Sequence, residues 1–146
     1  MRIMCLDVGS KTIGVAMSDP LGWIAQAVKT IRRGATQDDS LDLKKMIEEN
    51  EVKTIVVGLP LNMNGTEGPQ AASVRRFVDE MRKVIPDVPV EFWDERLSTV
   101  AAERGLLEAD LSRAKRKGVI DQMAAVHILQ GYLEARRGAE SEGDGE

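Results

Sequence analysis

The chain predicts an α/β fold: one mixed five-stranded sheet with helices on both faces. Three observations point there. Three short apolar runs at the start are joined by tight turns, as in an antiparallel meander. Two further β-branched runs each follow a segment with helical spacing of its apolar residues. The chain then ends in a long, largely apolar segment with no strand period.

Within residues 2–7, "RIMCLD", Ile3 and Cys5 alternate with Met4 and Leu6, all apolar, the pattern of a central strand covered on both faces. "DVGSK" turns the chain. "TIGVAMS" is a second strand, with Gly14 inside it. "DPLG" is a turn and "WIAQAVKTI" a third strand. "TQDDSLDLKKMIEENE" places Thr36 and Asp39 at capping-box spacing and apolar residues at 43, 46 and 47, which predicts a helix. "VKTIVVG" is a compact strand, and "LPLNMNGTEG" is a polar loop. "PQAASVRRFVDEMRKVI" starts on Pro69 as first helical residue and is apolar at 74, 77, 78, 81, 84 and 85. "VPVEFW" is the fifth strand. A helix across roughly 99–108, a charged loop "EADLSRAKRKG" and a buried last helix from "VIDQMAAVHILQ" complete the chain. The order β-β-β-α-β-α-β-α-α is that of the ribonuclease H-like fold.

Length and composition bound the function. The chain has 146 residues, enough for one domain with a real core. It divides into residues 1–137, a single folded domain, and 138–146, an acidic tail with the composition of disorder. The formal net charge is −4, and the last nine residues carry four acids and no base, so the body is neutral. That body has basic clusters at Arg32–Arg33, Arg75–Arg76 and above all "SRAKRKG", and local field outweighs net charge in nucleic-acid binding. The single cysteine, Cys5, excludes an internal disulfide and fits a reducing, cytoplasmic setting. No signal-peptide pattern opens the chain, and no window approaches the ~18 apolar residues of a membrane span.

Chemistry concentrates in acids at element ends. Asp7 ends the first strand, Asp94 and Glu95 follow the fifth, and Asp121 sits in the first turn of the last helix. In this fold those positions converge at one end of the sheet. Gathered carboxylates repel unless cations neutralise them, and Mg²⁺ or Mn²⁺ is the natural occupant. Two such ions about 4 Å apart activate a water and stabilise the leaving oxygen in phosphodiester hydrolysis. Each acid also has a plain structural reading, as a turn residue or a helix cap.

Other residues suit a phosphate backbone. Lys11 lies in the first turn, Asn62 and Asn64 in the "NMNG" loop, and Arg96 beside the acids, where it either pairs with one of them or steadies a phosphate. Arg113, Lys115, Arg116 and Lys117 put four bases into five residues just before Asp121. His127 is six residues beyond Asp121, about 240° away around a helix, so the two do not share a metal. Cys5 reads as core, and Trp23 and Trp93 as core or rim. Aromatic residues are too scarce for single-strand binding by stacking.

The blocks "LDVGSKTIGVAMSDPLG", "VVGLPLNMNGTEGPQA", "DERLSTVAAE" and "IDQMAAVHILQGYL", in this order, resemble the YqgF/RuvX family, small bacterial proteins described as Holliday junction resolvases and as pre-16S rRNA nucleases. The resemblance runs from residue 2 to about 135. It implies the ribonuclease H-like fold and divalent-metal nuclease chemistry at the 5′ end of the small-subunit rRNA precursor. It also implies Asp7, Glu95 and Asp121 as metal-binding catalytic acids. The chain departs from the family at Asn64, where other members often carry an acid.

Three other readings stand beside that one: a Holliday junction resolvase acting on branched DNA, a non-catalytic RNA-binding assembly factor of the small ribosomal subunit, and a nucleotide phosphotransferase. The last needs two such domains around a cleft, which a chain of this length does not supply. As partners the reading expects nucleic acid, with the small ribosomal subunit or its precursor, no membrane, and a monomer or homodimer.

Overall fold

The computed structural model describes residues 2–97 and 113–144, with backbone alone for 113–122 and 140–144. Strands β1 (Arg2–Val8), β2 (Thr12–Ser18) and β3 (Ala25–Arg32) form the meander. Helix α1 (Thr36–Asn50) leads to β4 (Val52–Leu59), and α2 (Pro69–Val84) leads to β5 (Val90–Asp94). A 3₁₀ turn covers Glu95–Leu97, and α3 is Arg113–Asp144. The helix expected over 99–108 lies outside the described residues.

The sheet runs β3-β2-β1-β4-β5 in space. β1 is antiparallel to β2 and parallel to β4, and β4 is parallel to β5. The carboxyl ends of β1, β4 and β5 therefore meet at one end of the sheet. Strand alternation splits the core into two faces. Met4, Leu6, Ile55 and Val57 pack with Leu43 and Ile47 of α1 and Val74, Phe77 and Met81 of α2. Ile3, Cys5, Ala16 and Val56 pack against Ala124, Ala125, Ile128, Leu129 and Leu133 of α3. The mixed sheet between helical layers is the predicted architecture.

Five local details correct or extend the sequence reading. Thr36 is not the cap of α1: Ala35 is, with no side-chain hydrogen bond, and the Asp39 carboxylate accepts from the Gly34 N–H at 3.2 Å. Asp39 is thus fourth in the helix and stabilises the turn before it. The basic segment is helical from Arg113 instead of looping to Gly118. Arg, Ala and Lys are strong helix formers, and one glycine costs only about 1 kcal/mol. The last helix buries a single stripe; Glu134, Ala135 and Arg136 on its other side are exposed. It continues to Asp144, so the acidic segment after Arg137 begins as helix. Finally, β3 is exposed from Gln26 to Lys29, because it is an edge strand.

Candidate active site

Asp7 is one residue from the end of β1 and opposite Gly14 of β2. It is 9% exposed. Leu6 pairs with Val57, so Asp7 comes level with Gly58, and Gly58 pairs with Trp93 on β5. Glu95 begins the 3₁₀ turn two residues later. Alternation puts Cys5 and Asp7, Val56 and Gly58, and Trp93 and Glu95 on the α3 side.

Gly58 clears the space between them. A Cβ there would lie 2.7 Å from Ile128 Cδ1 and 3.2 Å from Glu95 Cγ. Glycine at this position leaves room for the Glu95 side chain to lie against β4 beside Ile128 without a clash, and one carboxylate oxygen, Oε1, is buried there. The convergence also has an electrostatic signature. The Cys5 thiol is pushed well above its ordinary value, first by burial and then by the neighbouring charges of Asp7 and Glu95. One buried thiol feels both carboxylates, so Cys5 is a protonated floor to the site.

Helix α3 runs antiparallel to β4 and β5. Ile128 lies at Gly58, Gly131 at Trp93, and Tyr132 donates to the Glu91 carboxylate nearer the strand starts. The helix therefore enters over the end that carries Asp7 and Glu95. Asp121 belongs to its earlier part, seven residues before Ile128. Its side chain, with those of Arg113, Lys115, Arg116 and Lys117, is outside the described residues. Among the described residues no group of three His, Cys, Asp or Glu forms.

Two loops border the carboxylates, and arginines hold both. Arg96 donates to Asp94 from Nε and Nη2, the shortest contact being 2.7 Å. Its Nη1 donates to the Met63 carbonyl at 3.1 Å. The charge of Arg96 holds the Asp94 carboxyl below its ordinary range through that hydrogen bond. Asp94 therefore anchors Arg96, and Arg96 ties the 62–66 loop to the end of β5. Gly65, at φ +87°, lies against the guanidinium. Asn62 and Asn64 are exposed, but their amides close this loop: Asn62 Nδ2 donates to Thr66 Oγ1, which donates to Asn64 Oδ1 at 2.6 Å.

Across the site, Lys11 is exposed in the β1–β2 turn. Arg33, which the sequence marks only as half of a basic pair, reaches under that turn and donates to the Gly9 carbonyl at 2.8 Å. Gly58 escaped sequence reading too. Its signal was a glycine closing the β-branched run "TIVVG".

The remaining single residues have structural roles. Cys5 is buried, and Trp93 packs edge-on to Tyr132, centroids 5.7 Å apart. Trp23 is exposed with the Arg137 guanidinium 5.2 Å above its ring. Among the described residues no helix is long and apolar enough to cross a membrane.

Comparison with known proteins agrees with this fold. A protein of Clostridioides difficile (strain 630) named "Putative pre-16S rRNA nuclease" is 62% identical over 133 residues, 91% of this chain and 94% of that protein. One of the same name from Desulforamulus reducens is 57% identical over 135 residues, covering 92% and 98%. Among solved structures, Thermus thermophilus RuvC in complex with a Holliday junction superposes with TM-score 0.59 at 14% identity, over 94% of this chain and 96% of that one. The fowlpox virus Holliday junction resolvase gives 0.52 at 13%, over 92% and 99%. These distant likenesses show the fold, which is ribonuclease H-like. The family model described as "RuvX: Holliday junction resolvase" matches residues 1–135, and with relatives this similar over nearly its whole length the chain belongs to the RuvX family.

Proposed function

We propose that this protein is a divalent-metal-dependent endonuclease that hydrolyses phosphodiester bonds in structured nucleic acid, and that its substrate is the 5′ end of pre-16S rRNA in the cytoplasm. The observation that carries the reading is the gathering of Asp7 and Glu95, 88 residues apart in sequence, around one glycine at one end of the sheet. The names of relatives up to 62% identical support the substrate.

The donor set suits a hard cation. It consists of carboxylate oxygens on rigid strand ends, the chemistry of Mg²⁺ or Mn²⁺. Asp7 and Glu95 would hold one or two such ions, with Asp121 as third ligand. Position 121 precedes Ala124 and Ala125 by three and four residues, so it falls on the helical stripe that packs on the sheet. Bound there, the ions supply a water nucleophilic near neutral pH and charge stabilisation at the phosphoryl oxygens.

The chain's own residues do the rest. Asp7 is fixed by its sheet pairing with Gly14, and Glu95 follows directly on Asp94, the last paired residue of β5. Lys11 and the bases of Arg113, Lys115, Arg116 and Lys117 meet the substrate's phosphates as positive charges. Asn62 and Asn64 shape the facing loop, and Arg96 holds it in register with Glu95.

The test is a cleavage assay on a labelled pre-16S leader RNA and a four-way DNA junction, each with Mg²⁺, Mn²⁺ or EDTA. The leader should be cut in a metal-dependent way. Asp7→Asn and Glu95→Gln should each lose about 10³-fold, equivalent to about 4 kcal/mol of barrier. Their thermal midpoints should stay level or rise, because one of two close carboxylates has been neutralised. Preferential cutting of the junction would favour the resolvase reading, which the family description and the resolvase-like fold support. Tight binding with no cleavage of either would leave a non-catalytic assembly factor of the small ribosomal subunit.

A further inference from the structure

We propose that Arg33 is a positioning residue of the active site: it clamps both ends of the β1–β2 turn and so fixes Asp7. The inference rests on the reading of Asp7 as a metal-holding carboxylate.

Asp7 is two residues from Gly9, where β1 leaves the sheet. The last pair before the turn is Val8 with Ile13. The Gly9 N–H donates inward to the Thr12 carbonyl at 2.8 Å, which closes the hairpin. The carbonyls of Gly9 and Lys11 then need outside donors if the turn is to be held. Arg33 supplies both. Its guanidinium donates to the Gly9 carbonyl at 2.8 Å, and its backbone N–H donates to the Lys11 carbonyl at 2.9 Å.

The clamp is itself held. The guanidinium lies over the Phe77 ring, 5.1 Å from its centroid, and Phe77 is a buried residue of α2. Arg33 directly follows Arg32, which pairs with Thr12 in the sheet. The turn is therefore tied to β3 through the backbone and to α2 through the ring. Arg33 acts from the α1/α2 side of the sheet, while Asp7 faces α3. It is committed to a carbonyl and a ring instead of to a phosphate. Groups that hydrogen-bond a metal ligand directly typically matter by about 10–100-fold in metal affinity or activity, and Arg33, which acts one step further out through the turn backbone, should matter by less.

The experiment compares wild type, Arg33→Leu and Arg33→Lys in three measurements: Mn²⁺ affinity by titration, peptide-level hydrogen exchange over residues 8–12, and leader-RNA binding in EDTA against salt. Leucine keeps contact with Phe77 and loses the donor. It should weaken Mn²⁺ binding by about threefold to tenfold, below the range for a direct partner of a metal ligand, and speed exchange in the turn. RNA affinity without metal and its salt slope should be unchanged. Lysine keeps a cation over the ring and one donor, so it should recover part of both losses. Unchanged Mn²⁺ affinity and exchange in Arg33→Leu would overturn the proposal. So would a lower salt slope, which would mark Arg33 as a phosphate contact. Should Arg33→Leu fail to fold, Arg33→Lys decides: intermediate values uphold the clamp and wild-type values overturn it. A wild type that binds no Mn²⁺ would overturn the metal reading instead, and the exchange measurement would still judge the clamp.

Discussion

Toward α1 and α2 the sheet presents Met4, Leu6, Ile55 and Val57; toward α3 it presents Cys5, Ala16, Val56 and Gly58. The first face is bulky, and its helices answer with Leu43, Phe77 and Met81. The second is thinner, and α3 answers with Ala124 and Ala125 where it enters, before the larger Ile128, Leu129 and Leu133. Small residues on both partners let α3 sit close to the strands. Closeness brings a helix over the carboxyl ends of β1, β4 and β5, where the acids are. The thick face provides most of the apolar burial, and the thin face provides proximity. Most of the apolar burial and the proposed chemistry thus lie on opposite sides of one sheet.

The sharpest way to break that division is to damage the thick face. Leu43→Ala removes a fully buried side chain of α1 and should cost about 2–5 kcal/mol in urea unfolding. At a temperature where the variant is folded, kcat for leader cleavage should stay within about twofold, since rate follows only interactions that differ at the transition state. A large fall in kcat with full folding would show that the faces are coupled.

The matching cut on the thin face is Gly58→Ala. One methyl group then meets Ile128 at 2.7 Å and Glu95 at 3.2 Å. Overpacking of this kind costs about 1–3 kcal/mol, less than Leu43→Ala. Its effect on cleavage should nevertheless be much greater, about tenfold or more, because Glu95 is one of the two side chains that must give way, with Ile128. Unfolding and single-turnover cleavage on the same samples give both numbers. A variant that loses stability but keeps its rate would mean that Glu95 does not need its present path across β4.

Most of the thick face was legible in sequence. The apolar positions of α1 and α2 recur at helical spacing, and one face of each helix is all that solvent leaves to bury. The carboxylates were legible for another reason: an acid at the end of an apolar run has few structural uses. Gly58 and Arg33 were not. Their roles depend on what a neighbouring strand or helix brings within 3 Å, and no local pattern records that. The start of α3 failed differently. A run of bases reads as a solvated loop by composition, yet Arg, Ala and Lys favour helix by propensity, and the helix prevailed from Arg113. The Asn62–Asn64 loop was recognised as polar, but its amides turned out to close the loop on itself.

The smallest expected effect lies at the other end of the thin face, and it tests how tightly α3 is seated there. Tyr132 is the chain's only tyrosine, so an alkaline ultraviolet titration reads it alone. Its hydroxyl donates to the Glu91 carboxylate, and its ring meets Trp93 edge-on. Burial, then the hydrogen bond and charge of Glu91, push the phenol from an ordinary value of 10.0 up to about 12. The neutral phenol is therefore favoured more in the folded chain than in the unfolded one. Its contribution to stability is complete below the unfolded value and is lost as pH rises through the folded one. Phenolate should appear in a single step near 12, and Glu91→Gln should lower that step only in part, because burial, the larger cause, remains. A step already near 10 in the wild type would mean that the helix and β5 do not hold this contact in solution. Mn²⁺ affinity in Glu91→Gln, measured at neutral pH, should equal that of wild type, since Glu91 lies toward the start of β5 and the carboxylates gather beyond its end. A shared loss would make α3 a lever that carries strain from one end of the thin face to the other, and the seating of the whole helix, more than its entry over Asp7 and Glu95, would then set the site.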